Sequence, residues 1–251
     1  MSEIQSERNL KLRLDKLLSH TGFGTRKEVK NLLKKKVVTV NGKLQKDGKL
    51  QVNPEVDVIA VFGENVHYQE FVYFMLHKPQ GVVSATTDNL HETVIDLLQP
   101  HDQMQEPFPV GRLDIDTEGL LLLTNDGSLA HELLSPKKHV NKIYQADIQG
   151  VVTEEDVAVF LKGVTLDDGY QCKPAKLVVK EIDKTKATSI IEVTIQEGKF
   201  HQVKRMFESV DKEVAYLKRL SMGPLHLDEE LLLGEYRLLT EDELESLKNR
   251  S

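Results

Sequence analysis

The chain has 251 residues, 39% hydrophobic and 29% charged, enough for one large or two modest cores. No apolar run approaches the roughly 18 residues of a membrane span. The polar, acidic start Met1-Ser-Glu-Ile-Gln-Ser-Glu7 has the pattern of neither a signal nor a transit peptide, so a cytoplasmic protein is expected. The single cysteine, Cys172, excludes an internal disulfide and any multi-cysteine metal site. The net charge of −7 hides an asymmetry: residues 8–50 hold thirteen Lys or Arg against three acids, a local +10 that leaves −17 elsewhere. Such a split points to an electrostatic footprint carried by one small module. A lysine-rich face that merely keeps the chain in solution would give the same count.

In that basic segment Leu14, Leu17 and Leu18 fall at i, i+3 and i+4 and predict a short amphipathic helix that stops at the turn Thr21-Gly-Phe-Gly24. Thr25-Arg-Lys-Glu28 is a capping box opening a second helix. That helix turns Val29, Leu32 and Leu33 inward and leaves Lys27, Lys30, Lys34 and Lys35 on its other faces. Val37-Val-Thr-Val-Asn-Gly42 predicts a strand running into an Asn-Gly hairpin, and Val56-Asp-Val-Ile-Ala-Val61 another strand.

Arg13-Leu-Asp-Lys-Leu-Leu18, Thr25-Arg-Lys-Glu28 and Val38-Thr-Val-Asn-Gly42 together resemble the S4 RNA-binding domain (αL-type), named for the ribosomal protein. The resemblance implies that two helices present basic residues to structured RNA, here Arg13, Lys16, Arg26, Lys27 and Lys30. A-form RNA is read largely by shape and phosphate contacts, which suits clustered Lys and Arg. The expected organisation is a disordered tail over 1–9, this module over 10–62, a polar linker over 63–70 and a second domain over 71–245.

In the second domain Phe71–His77 predicts a strand ending at the turn Lys78-Pro-Gln-Gly81, and Thr93–Leu98 a short helix. The unbroken leucines 120–123 predict a strand buried on both faces. Ser128–Leu134 predicts a helix stopped by Pro136, and Lys142–Ile148 a strand with Tyr144, Ala146 and Ile148 on one face. Thr153 caps a helix that ends at Gly163, and Ser189–Ile195 is a further strand. From His201 the chain repeats at helical period, with Val203, Met206, Phe207 and Val210 inward and His201, Lys204, Arg205 and Glu208 on another face. Glu235–Leu239 and a helix capped by Thr240 close the chain. Without regular βαβ spacing, the class is α+β with a largely antiparallel sheet.

The polar residues ahead of the leucines, Gly111-Arg-Leu-Asp-Ile-Asp-Thr-Glu-Gly119, hold the chemistry. As a calcium loop the stretch fails, because the twelfth position from Asp114 is Asn125 rather than a bidentate Glu. As an Asp-x-Asp-x-Thr phosphatase signature it lacks a preceding apolar strand and a downstream acidic pair. Gly22-Phe-Gly24 lacks the third glycine of a dinucleotide fingerprint, and the histidines form no ligand-spaced set, so no metal and no cofactor is assigned.

What the stretch does resemble is the catalytic loop of the pseudouridine synthases. Gly111–Gly127 is nearly that family's motif, and three further blocks follow its order: Phe74–Gly81, Lys142-Ile-Tyr144 and Glu197–Met206. The similarity spans about residues 10–245 and is nearest the RsuA branch, which modifies 16S rRNA of the small subunit.

The resemblance implies a catalytic carboxylate at Asp114, acting by covalent addition or by assisting elimination, and an active-site tyrosine at Tyr144 that stacks on a flipped uracil. It implies a cationic partner at Lys204, with Arg205 second. Arg112 is expected at RNA or in a surface ion pair, and His201 and Gln202 at the pocket wall or in helix-end hydrogen bonds. The substrate implied is one uridine of 16S rRNA, the RsuA-type uridine 516, free or in a small-subunit assembly intermediate, with the protein a monomer. The same activity on large-subunit 23S rRNA, or a non-catalytic S4 ribosome-assembly factor, are the alternatives. A pure RNA binder has no use for a carboxylate aimed at a polyanion.

Overall fold

The computed structural model describes residues 11–249, and the tail expected over 1–9 lies outside them. The chain divides into two compact units, one of residues 11–72 with Leu98–Pro107 and one of Tyr73–Leu97 with residues 108–249.

In the first unit β1 (Leu12–Arg13) runs directly into α1 (Leu14–His20), and α2 (Arg26–Lys34) follows the glycine turn. The Thr25 hydroxyl accepts the Glu28 amide while the Glu28 carboxylate accepts the Thr25 amide, so the capping box forms. Strands β2 (Val38–Val40), β3 (Lys43–Leu44), β4 (Gln51–Val52), β5 (Ile59–Val61) and β6 (Glu64–Asn65) follow. They build an antiparallel ladder ordered β3-β2-β5-β6, while β4 pairs with β1. Asn41 and Gly42 both take positive φ, 51° and 74°, the mirror-image turn that a two-residue hairpin needs. Leu14, Leu17, Leu18, Val29, Leu33 and Val38 are buried in one core, and Lys27, Lys30, Lys34 and Lys35 stay exposed.

Two stretches of this unit differ from the reading of the sequence. The strand expected from Val56 starts only at Ile59, because the Asp57 carboxylate accepts the Asn53 amide (2.7 Å) and the Asn41 side-chain amide (2.8 Å) and closes a turn. Residues 63–70, read as linker, contribute β6, and Val66 and Tyr68 pack on the core. A short helix, α3 (Pro100–Gln103), also belongs here.

The second unit is built on β7 (Tyr73–Lys78), β8 (Phe108–Pro109), β9 (Glu118–Thr124), α4 (Gly127–Leu134), β10 (Lys142–Gln149) and α5 (Glu154–Lys162). It continues with β11 (Lys176–Asp183), β12 (Thr188–Ile195), α6 (Gln202–Glu208), β13 (Glu213–Met222), β14 (Leu225–His226), β15 (Tyr236–Leu238) and α7 (Glu241–Lys248). The sheet runs β11-β12-β10-β13-β9-β7-β15, antiparallel at every step except β13–β9. This is the α+β, largely antiparallel class. Thr93–Leu98 is a turn rather than a helix, since the Asp96 carboxylate accepts both the amide (2.8 Å) and the hydroxyl (2.7 Å) of Thr93.

The parallel step decides where the site forms. Leu120 to Leu123 are each no more than 1% exposed, so β9 is covered on both faces, as the leucine run implies. At its start Gly119 takes φ 109° and lies against the backbone of Arg219, where an added Cβ would stand 2.2 Å from the Arg219 carbonyl oxygen. Only glycine permits that approach. Gly119→Ala should therefore lower the unfolding free energy by about 3 kcal/mol, read as a drop in urea midpoint. An unchanged midpoint would mean that β13 can retreat from β9 without loss.

Candidate active site

Asp114 stands in the loop between β8 and β9, and the loop's backbone is tied from beneath. The Lys78 ammonium is fully buried and donates to the carbonyls of Pro79 (2.9 Å), Asp114 (3.1 Å) and Thr117 (3.0 Å). Ser84 closes the other side: its hydroxyl donates to the Leu113 carbonyl and accepts the Leu113 amide. The Gly81 amide donates to Ile115 O, and Thr117 N to Asp114 O. Burial pulls Lys78 down to about 8 from its ordinary 10.5, while the charges of Asp114, Asp116 and Glu118 oppose that shift. Three carbonyl acceptors need three N–H donors, which only the ammonium form supplies.

The two candidate cations of α6 do not take Asp114. Lys204 Nζ lies 2.6 Å from both oxygens of Asp116. Burial raises the Asp116 pKa, but the Lys204 hydrogen bond and charge outweigh it and hold the carboxyl below its ordinary value. Arg205 turns the other way, onto Asp167 and Asp168, and its Nη1 donates to the Phe200 carbonyl (3.4 Å). The group that approaches Asp114 is His201, with Nε2 3.7 Å from Oδ1. The Lys204–Asp114 pair expected from the motif is thus replaced here by Lys204–Asp116. A short step along the loop between two aspartates is enough to redirect a flexible lysine.

His201 sits at the N-terminus of α6 in the left-handed conformation, φ 47°, which costs a non-glycine residue about 1–2 kcal/mol. A buried knot around Gln202 holds it there. Gln202 accepts the Lys199 amide (2.8 Å) and donates to Glu197 (2.7 Å), and Glu197 also accepts the Tyr170 hydroxyl and the Lys173 amide. Gln202 thus bonds at the start of α6 and also lines the cavity.

Asp114, Arg112, Tyr144, His201, Gln202 and Lys204 all line one cavity of about 400 Å³; Arg205 does not. Tyr144 is buried on β10, opposite Arg219 of β13. Arg112 is exposed and lines the cavity. Two further cations line the cavity: Lys142, which opens the Lys142-Ile-Tyr144 block, and Arg219, which no motif singles out. Arg219 is 1% exposed, donates Nε to Leu120 O (2.8 Å), and leaves Nη2 without a partner. Lys142 is pulled down to about 8 by burial first and by the Arg219 charge second. In the first unit Arg26, Lys27 and Lys30 are exposed and Lys16 half-buried. Arg13 is instead engaged with buried Asp15 (3.0 and 2.6 Å), a bond that holds the Asp15 carboxyl below its usual range.

A family model described as RNA pseudouridylate synthase matches residues 72–209, and an S4 domain model matches residues 12–58. The chain belongs to the RNA pseudouridylate synthase family. Its activity class is accordingly an isomerase's, the conversion of uridine to pseudouridine in RNA. It is 53% identical to the uncharacterized RNA pseudouridine synthase YtzG of Bacillus subtilis, covering 94% of this chain and 98% of that one. It is 40% identical to ribosomal large subunit pseudouridine synthase B of the same organism, covering 94% and 95%. It is 39% identical to ribosomal small subunit pseudouridine synthase A of Yersinia pestis, covering 94% and 98%. RsuA-type synthases are therefore among its relatives over nearly their full length.

Lys142 in this synthase offers a pH test. Its folded pKa, about 8, lies below the 10.5 of an open lysine. Above about pH 8 the unfolded chain then holds more protons than the folded one, and stability rises with pH until the ordinary lysine range. Urea midpoints measured from about pH 7.5 to 10 should climb less in Lys142→Met than in the parent. An identical climb would mean that Lys142 meets water freely.

Proposed function

We propose that this synthase isomerises one uridine of ribosomal RNA, held flipped out of its stack in the cavity, with the Asp114 carboxylate acting at the ribose–base junction. The observation that carries the reading is the Asp114 carboxylate, 30% exposed, facing a cavity of about 400 Å³, room for a nucleotide, with Tyr144 on its wall and the His201 Nε2 3.7 Å from its Oδ1. A carboxylate locked in a short ion pair would be a poor nucleophile or base; Lys204 neutralises the neighbouring Asp116 instead.

The reaction breaks C1′–N1, turns the base and joins C1′ to C5. C5 then loses its proton and N1 gains one, so no redox partner or energy source is needed. Asp114 assists the bond cleavage, by covalent addition or by elimination. Tyr144 supports the uracil plane and stands ready for the C5 proton. The unpartnered Arg219 Nη2 and the Lys142 ammonium offer donors to a uracil carbonyl or the adjoining phosphate. The exposed Arg26, Lys27 and Lys30 of the S4 domain grip phosphates elsewhere on the RNA, with Lys16 beside them.

The RsuA-like blocks favour 16S rRNA, at the site corresponding to uridine 516, with a monomeric protein acting in the cytoplasm on free RNA or on an assembly intermediate. A second reading, 23S rRNA, is favoured by the 40% identity to a large-subunit enzyme. Chemical mapping of pseudouridine in both rRNAs of a strain lacking the gene separates them. One 16S position should lose its pseudouridine, regain it with the parent gene and stay unmodified with Asp114→Asn. Loss at a 23S position instead would move the substrate to the large subunit, and modification by Asp114→Asn would remove Asp114 from the chemistry.

A further inference from the structure

Phe200 is the most conspicuous side chain at the cavity that the isomerisation itself does not use. Phe200 is 73% exposed, and its ring stacks on the His201 imidazole, with centroids 3.8 Å apart and planes 18° from parallel. A single exposed apolar residue ordinarily needs no explanation. Here, however, the backbone on both sides is held. The Gln202–Glu197 knot fixes the loop, Arg205 grips the Phe200 carbonyl, and His201 is kept in a strained left-handed turn. A rigid loop that displays an aromatic ring to solvent beside a nucleobase-sized cavity is a platform.

We infer that Phe200, backed by His201, forms a second base subsite, on which the nucleobase adjacent to the flipped uridine stacks. Extruding a uridine leaves its neighbour without one stacking partner. The free face of Phe200, at the rim of the same cavity, replaces that partner. Stacking on an aromatic ring is tolerant of base identity, since every base has a π-face, so the subsite supplies affinity and register more than a sequence code. It also couples recognition to the reacting centre, because the imidazole beneath Phe200 lies 3.7 Å from Asp114. This subsite rests on the assignment of the cavity to a flipped uridine.

The chain contains no tryptophan, so F200W introduces a single indole at the platform. The full-length F200W protein, and F200W combined with D114N, would be titrated with unmodified 16S and 23S rRNA transcripts while retention on filters records binding. Indole emission should fall by about half on saturation in both proteins, because stacking precedes chemistry. Emission that stays constant while RNA is retained overturns the subsite, whether or not pseudouridine forms. Failure to retain either RNA overturns the RNA-modifying reading and the subsite with it.

Steady-state kinetics give the second arm. Phe200→Ala should raise KM about tenfold with a smaller effect on kcat, Phe200→Tyr should restore it, and Phe200→Leu should not. Recovery by leucine equal to that by tyrosine would show that Phe200 only shields His201 from water.

Discussion

The site depends on one buried charge, the Lys78 ammonium. It ends the apolar strand β7, is fully buried, and directs its three donors to carbonyls of the segments that frame Asp114, two of them in the Asp114 loop itself. An uncompensated cation in that position would cost several kcal/mol; the carbonyls and the field of Asp114, Asp116 and Glu118 offset the penalty. The consequence is mechanical. A loop between two strands would ordinarily be free to move, whereas this one has its carbonyls held from below and Leu113 clasped by Ser84. The Asp114 carboxylate is thus displayed from a rigid support rather than from a mobile arm.

The same sheet sets the Asp114 carboxylate among positive groups. β9 and β13 are joined by the one parallel step along the sheet, with Gly119 against the Arg219 backbone. That step brings the Arg219 guanidinium under the floor, beside Lys142. Asp114 therefore faces a cavity that also holds positive groups in its floor, while Lys204 cancels Asp116 at the edge. Each cation has a separate role. Lys78 orders the loop, Lys204 silences the second aspartate and Arg205 anchors the Phe200 turn, while Arg219 and Lys142 face the cavity.

Much of this is legible from residues alone, and the failures have physical causes. Capping boxes at Thr25, Thr153 and Thr240 all form, because that signal is local and depends on backbone geometry only. The leucine run and the alternation through Tyr144 mark β9 and β10, since burial on one or two faces leaves a direct imprint on the pattern. β13 leaves no such imprint although it is ten residues long. Its inward positions include Arg219, so the apolar alternation breaks at a buried cation. The turn at Lys78-Pro-Gln-Gly81 is legible, but not that its lysine points inward, because nothing local distinguishes a buried ammonium from a surface one. The choice of Asp116 over Asp114 by Lys204 depends on small displacements between distant segments, which motif alignment does not resolve.

The most direct test of the account is tritium release from RNA transcribed with [5-³H]uridine, using the purified chain with a chelator and no added cofactor. Joining C5 to the ribose expels the C5 hydrogen, so each turnover should deliver one tritium to water. Release by the parent protein at one equivalent per modified uridine, with none from Asp114→Asn, is the predicted result. Release that is equal in both proteins, or absent from the parent on both rRNAs, would contradict the assignment of this cavity and its carboxylate to uridine isomerisation.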